Sequence, residues 1–75
     1  MSVTTQDTMN VAEIGEAAGE VYRYLERNGE VTLAQLKKGI PGSGDLAAMA
    51  LGWLAREGKI RFVQSGRVKK VALVL

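Results

Sequence analysis

The stretch MALGWLAREGKI, residues 49–60, decides the fold, because a helical pattern ends within it and an extended pattern begins. Leu51 and Leu54 are three residues apart, a spacing typical of the buried side of a helix. Gly58 then ends the helical pattern, since glycine readily adopts the left-handed conformation found at helix C-termini. From Lys59 onward the pattern is that of a strand. This transition predicts a helix followed directly by a hairpin.

The hairpin takes up the rest of the chain. Residues 59–63 are predicted to form its first strand, residues 64–67 its turn and residues 68–75 its second strand, which is rich in β-branched side chains. Alternation along the second strand predicts two sets of side chains. The set facing the core is Val71, Leu73 and Leu75, and the set facing outward is Lys70, Ala72 and Val74.

Two capped helices precede the hairpin. Thr32 and Gln35 form a capping box that begins a short helix over residues 33–38, and the breaker residues 39–42 follow it. Ser43 is the predicted N-cap of the next helix, which runs to about Glu57.

A longer helix is predicted before these two. It begins at Asn10 with a second capping box and ends at Asn28 and Gly29. Its apolar stripe consists of Val11, Ile14, Ala18, Val21 and Leu25. Gly15 and Gly19 are expected to let a neighbouring element approach closely. Residues 1–9 are polar and aperiodic, so they are predicted to form a disordered N-terminal tail, with one domain over residues 10–75.

The order helix, short strand, two helices and hairpin resembles the winged helix-turn-helix fold. Residues 49–60 are similar to the end of the third helix and the start of the wing in a family of small, stand-alone bacterial winged-helix domains of uncharacterised function. Residues 14–19, 21–22 and 28–31 also match that family's first helix and following strand. The resemblance covers residues 10–75. It implies an α+β winged helix-turn-helix domain with three helices, a short strand after the first helix and a C-terminal β-hairpin wing.

The composition excludes several classes of functional site. The 75 residues include no Cys and no His, which excludes disulfides, Cys/His zinc sites, thiol nucleophiles and imidazole catalysis. We therefore expect no enzyme activity, cofactor, metal or small-molecule substrate. The chain has no apolar run of about 20 residues, as a membrane span requires, and no signal-peptide pattern, which predicts a cytoplasmic protein without a membrane partner.

The net charge of +2 is the sum of two halves of opposite sign. Residues 1–30 carry six acids and two arginines, a net −4, and residues 31–75 carry eight bases and two acids, a net +6. Seven of these eight bases are candidate nucleic-acid contacts, because long basic side chains neutralise phosphates. They are Arg61, Arg67, Lys69 and Lys70 in the hairpin, Lys37 and Lys38 in the second helix, and Arg56 in the third.

The presence of basic residues at these positions can also be explained without a ligand. Lysines on an edge strand discourage aggregation, and Lys37 and Lys38 lie where they favourably meet the negative end of a helix dipole. The functional hypothesis is a DNA-binding-like, transcription-associated module that binds duplex DNA weakly through its basic wing.

The third helix points to a second hypothesis. Turning it by about 100° per residue, with Leu51 and Leu54 inward, places Asp45, Met49, Gly52 and Arg56 outward, flanked by Ala48 and Trp53. Only Arg56 suits the reading of base edges, so little sequence selectivity is expected. Ala48, Met49, Gly52 and Trp53 would instead form an apolar interface in a homodimeric protein-interaction module with no direct DNA role. Alternatively, Trp53 packs in the core or borders a ligand pocket.

Overall fold

A computed structural model of the chain describes residues 11–74, and their elements follow the predicted order. The helices are α1 (Val11–Asn28), α2 (Leu33–Gly39) and α3 (Gly44–Arg56), and the strands are β1 (Val31–Thr32), β2 (Ile60–Ser65) and β3 (Val68–Leu73). The predicted α+β class, with a short strand after the first helix and a C-terminal hairpin, is confirmed. The predicted tail, the Asn10 cap and Leu75 lie outside the described residues.

Side-chain caps begin both short helices as predicted. The Thr32 hydroxyl accepts a hydrogen bond from the Gln35 backbone N–H (3.1 Å), and the Gln35 side-chain oxygen accepts one from the Thr32 backbone N–H (2.9 Å). The Ser43 hydroxyl accepts from the Leu46 backbone N–H at 3.1 Å. Each cap satisfies a donor that the first helical turn leaves free, which is worth about 1 kcal/mol. The caps therefore set where α2 and α3 begin.

The apolar stripe of α1 is confirmed over most of its length. Ala18, Val21 and Leu25 are buried, whereas Val11 is 68% exposed, which corrects the prediction at that residue. Ile14 is half-buried and the first buried residue of α1 is Ala17, so burial increases along the helix from Val11.

The three strands form one antiparallel sheet in the order β1-β3-β2. Val71 on the central strand is fully buried and pairs with Val31 on one side and Phe62 on the other. Strand β2 extends two residues further than predicted, to Ser65, so the turn consists of residues 66 and 67 alone. Gly66 has a φ of 61°. A two-residue hairpin turn requires a positive φ, which glycine adopts readily.

One predicted exposure in β3 is wrong. Ala72 was expected to face outward, yet it is 7% exposed. It lines a hollow with Tyr22 and Leu25 of α1, opposite Arg61 on β2. Because its side chain is small and β3 is the central strand, these neighbours suffice to cover it.

The core lies where α1, α3 and the sheet meet. Val21, Leu25, Leu36 and Val71 are its largest fully buried side chains. Ala47, Ala50, Leu51 and Leu54 of α3 are buried against it. No helix within residues 11–74 combines the length and the apolar character needed to cross a bilayer.

Candidate nucleic-acid interface

The outer face of α3 consists of Asp45, Met49, Gly52 and Arg56, and all four residues are exposed as the helical rotation predicted. Met49 is 44% exposed. Apart from its chain neighbours and the backbone of its own helix, no atom of the described chain lies within 4 Å of the position that a Cβ on Gly52 would occupy. Reading base edges needs donors and acceptors that reach into a groove. This face offers one cation, one carboxylate and two residues without hydrogen-bonding side chains.

Ala48 and Trp53 flank the outer face on opposite sides. Ala48 is exposed, whereas Trp53 is half-buried and packs against the core cluster. The indole lies over α1 of the same chain, since a Cβ on Gly15 would be 3.7 Å from its Cη2 atom. One side of the Trp53 ring therefore packs on α1 of the same chain, and the rest of the ring, next to the outer face of α3, stays accessible.

That contact also bears on the two glycines of α1. The indole of Trp53 lies against Gly15, but a Cβ there would be at an ordinary van der Waals distance, so this approach does not require a glycine. The nearest atoms to a Cβ on Gly19 belong instead to Arg23 of the same helix, at 3.5 Å, so the expectation of a close neighbouring element is wrong there.

The wing, formed by β2, β3 and the turn between them, distributes its cations over two faces and a tip. Lys69 pairs with Gln64, while Lys70 pairs with Val63, so consecutive lysines point to opposite faces of the hairpin. Arg61 lies on the same face as Lys70. Arg67 occupies the turn and is exposed.

The face with Arg61 and Lys70 adjoins acidic residues. Lys70 Nζ lies 3.8 Å from Glu30 Oε2, and the two side chains are 37% and 40% exposed. Arg61 lines a hollow with Glu26 and Glu30. The charge available to phosphates on this face is therefore reduced. Among the residues that the structure describes, Arg61, Arg67 and Lys69 take part in no ion pair, and of these only Arg61 shares a hollow with acidic residues.

Lys37 and Lys38 lie in the last turn of α2 and are exposed. The stem of Lys37 passes close to the start of α3, because a Cβ on Gly44 would lie 3.6 Å from Lys37 Cδ. Because Lys69 and Lys70 point to opposite faces of the hairpin, the predicted cations do not all lie on one face.

Phe62 is a surface residue that the sequence did not single out. It is 55% exposed on the same face of the wing as Gln64 and Lys69, and these residues line a hollow with Leu33 of α2. Its spacing from Ile60 predicts a core position, since both side chains point to one face of β2. Phe62 pairs with the buried Val71, but it lies on the edge strand β2, where no further strand of the described chain covers its outer side.

Three helices followed by a hairpin, with β1 completing the sheet, define a winged helix-turn-helix domain. The chain belongs to the family described as winged helix-turn-helix domain (DUF2582), which it matches over residues 9–73. The expected family resemblance is confirmed.

Similar proteins come from archaea as well as bacteria. An uncharacterised protein of Methanocaldococcus jannaschii is 47% identical over 51 residues, which cover 64% of this chain and 71% of that protein. The solution structure of a Bacteroides thetaiotaomicron protein superposes with a TM-score of 0.78 at 26% identity, covering 87% of this chain and 79% of the other. The likeness is thus not confined to bacteria.

A third likeness is to a protein with a described activity. A chain of HOP2 superposes on this chain with a TM-score of 0.62 at 30% identity. HOP2 is described as having DNA recognition and protein interaction domains and homologous DNA pairing properties. The match covers 77% of this chain and 98% of the HOP2 chain. The likeness to HOP2 therefore agrees with the winged helix-turn-helix fold of this chain.

Proposed function

We propose that this domain binds duplex DNA weakly through the wing, by contacts to the phosphate backbone. The observation that carries this is the placement of Arg67 at the wing tip and Lys69 beside it, exposed and without an acidic partner among the described residues. Long basic side chains on a protruding hairpin neutralise phosphates irrespective of sequence. The likeness to HOP2, whose DNA recognition has been described, supports the same class of ligand.

Other wing residues have smaller roles in this proposal. Lys70 contributes less than its neighbour because Glu30 lies 3.8 Å away. Phe62 adds an apolar surface on the face of Lys69, suited to packing against deoxyribose. The outer face of α3 lacks the side chains that distinguish base pairs, so we expect little sequence selectivity.

A matched pair of variants tests where DNA binds. Arg67→Gln combined with Lys69→Gln should weaken binding of a fluorescently labelled duplex about tenfold or more at low salt, and should reduce the slope of log K against log salt by about 2. The control is Arg23→Gln with Arg27→Gln, which removes the same charge from exposed positions of α1. Equal losses in the two variants would mean that net charge, and not the wing, determines binding.

A second function is favoured by the outer face of α3. Met49 is 44% exposed beside Gly52, around which the described chain leaves open space. Apolar surface at the centre of a helix face suits pairing with another protein surface. We propose that the domain forms a homodimer through α3, an arrangement compatible with DNA binding because the wing is a separate surface. Sedimentation at high micromolar concentration tests this, and a strictly monomeric species would contradict it.

A further inference from the structure

The outer face of α3 has the spacing of a helix-pairing seam. Asp45, Met49, Gly52 and Arg56 follow one another at intervals of four, three and four residues, and all are exposed. At about 100° per residue they fall within an arc of about 60°. Such a stripe runs nearly parallel to the helix axis, as in helices that pair along their length.

The two charges of this seam lie at its opposite ends. Asp45 is in the first turn of α3 and Arg56 in the last, which separates them by about 16 Å along the axis. Among the described residues neither takes part in an ion pair. A parallel pair of α3 helices would place each charge beside its own copy. An antiparallel pair places Asp45 of one copy at the level of Arg56 of the other, so charge complementarity selects the antiparallel arrangement.

The same register also places a large side chain, Met49, opposite a residue without a side chain, Gly52. When Asp45 is level with Arg56 of a second copy, Met49 is level with that copy's Gly52, and the reciprocal contact follows from two-fold symmetry. A Cβ on Gly52 would meet no described atom within 4 Å, and its φ is not positive, so nothing within the monomer requires a glycine there. Glycine is unfavourable inside a helix. A methionine from a second copy, packed against the bare backbone, gives this residue a structural role.

We propose that two copies pair through antiparallel α3 helices, with Met49 packed on Gly52 of the other copy and an Asp45–Arg56 ion pair at each end. This rests on the homodimer proposed above and specifies its register. Two consequences follow. The outer faces of both α3 helices are covered, so neither can enter a major groove. Both wings remain outside the interface, and two wings on one assembly bind DNA more tightly than one.

Charge reversal tests the register. Asp45→Arg places like charges at both ends of the homodimer, and so does Arg56→Asp. Each single variant should raise the dimer dissociation constant about tenfold or more in sedimentation at low salt. An equimolar mixture of the two variants should recover association, because a heterodimer has opposite charges at both ends. Recovery in the mixture also shows that each variant is folded.

Two controls make the result specific. Glu26→Arg alters the net charge as Asp45→Arg does but lies on α1 and is exposed, so it should leave the dimer unchanged. Gly52→Leu should weaken association, whereas Ala34→Leu on the exposed side of α2 should not. A dimer that is insensitive to both charge reversals would overturn this register while leaving pairing through α3 intact. A monomeric wild-type protein would overturn the pairing as well, and neither result bears on DNA binding by the wing.

Discussion

Two glycines in helices show how differently the same residue type is used in this chain. Gly52 faces open space, whereas a Cβ on Gly39 would overlap the ring of Tyr24. Tyr24 is half-buried against the core cluster and its hydroxyl lies 3.5 Å from the Gln35 carbonyl oxygen. Gly39 thus permits close packing of α2 on α1, while Gly52 has no such role within one chain.

Alanine substitutions at these glycines should have opposite effects on stability. Gly52→Ala should raise the free energy of unfolding of the monomer by about 0.5–1 kcal/mol, because alanine favours the helix. Gly39→Ala should lower it by about 1–3 kcal/mol, because the Tyr24 ring must move. Urea denaturation at a protein concentration low enough to keep the chain monomeric measures both. A loss of stability in Gly52→Ala would show that this side of α3 is packed within one chain.

At the scale of elements, local hydrogen bonding explains most of what the sequence predicted. The boundaries of α2 and α3 follow from Thr32, Gln35 and Ser43, whose side chains bond to backbone groups three residues away. Such contacts are readable from sequence because their partners have fixed offsets. The rotation of α3 was predictable for the same reason, since Leu51 and Leu54 define its inner side.

The orientation of the wing residues depends on tertiary contacts and was less predictable. Alternation gave Val71 correctly as a core residue, but Ala72 is covered by α1 and Phe62 is exposed on the edge strand. The pairing of Lys70 with Glu30 depends on β1 lying beside β3, a neighbour that no local pattern specifies. The basic character of the candidate site was therefore visible in the sequence, whereas the division of its charges between two faces was not.

Removing one cap should test the account of α3. Ser43→Ala deletes the acceptor for the Leu46 N–H and should cost about 1 kcal/mol of stability, which corresponds to about 4–8 °C in Tm for a domain of this size. Ser65→Ala is the matched control, because the Ser65 hydroxyl makes no hydrogen bond among the described residues. Equal melting temperatures for both variants would show that the cap is not what stabilises the start of α3.

At the scale of the whole molecule, the domain has two surfaces of different character, the wing and the outer face of α3. The wing presents Arg67 and Lys69 without acidic partners among the described residues, and the outer face of α3 presents an apolar centre between one acid and one base. A near-neutral net charge of +2 conceals this division. In the proposed function, the helix that reads DNA in related folds pairs instead with a second copy, and the hairpin makes the contacts to DNA.

The most direct test is an NMR titration of the labelled protein with an arbitrary duplex at low salt. Backbone amide shifts should change at Gly66, Arg67 and Lys69 in the wing and should return toward their free values as salt is added. The amides of Met49 and Gly52 on α3 should not respond. Shifts centred on α3, or no shifts in the wing at low salt, would contradict DNA binding through the wing.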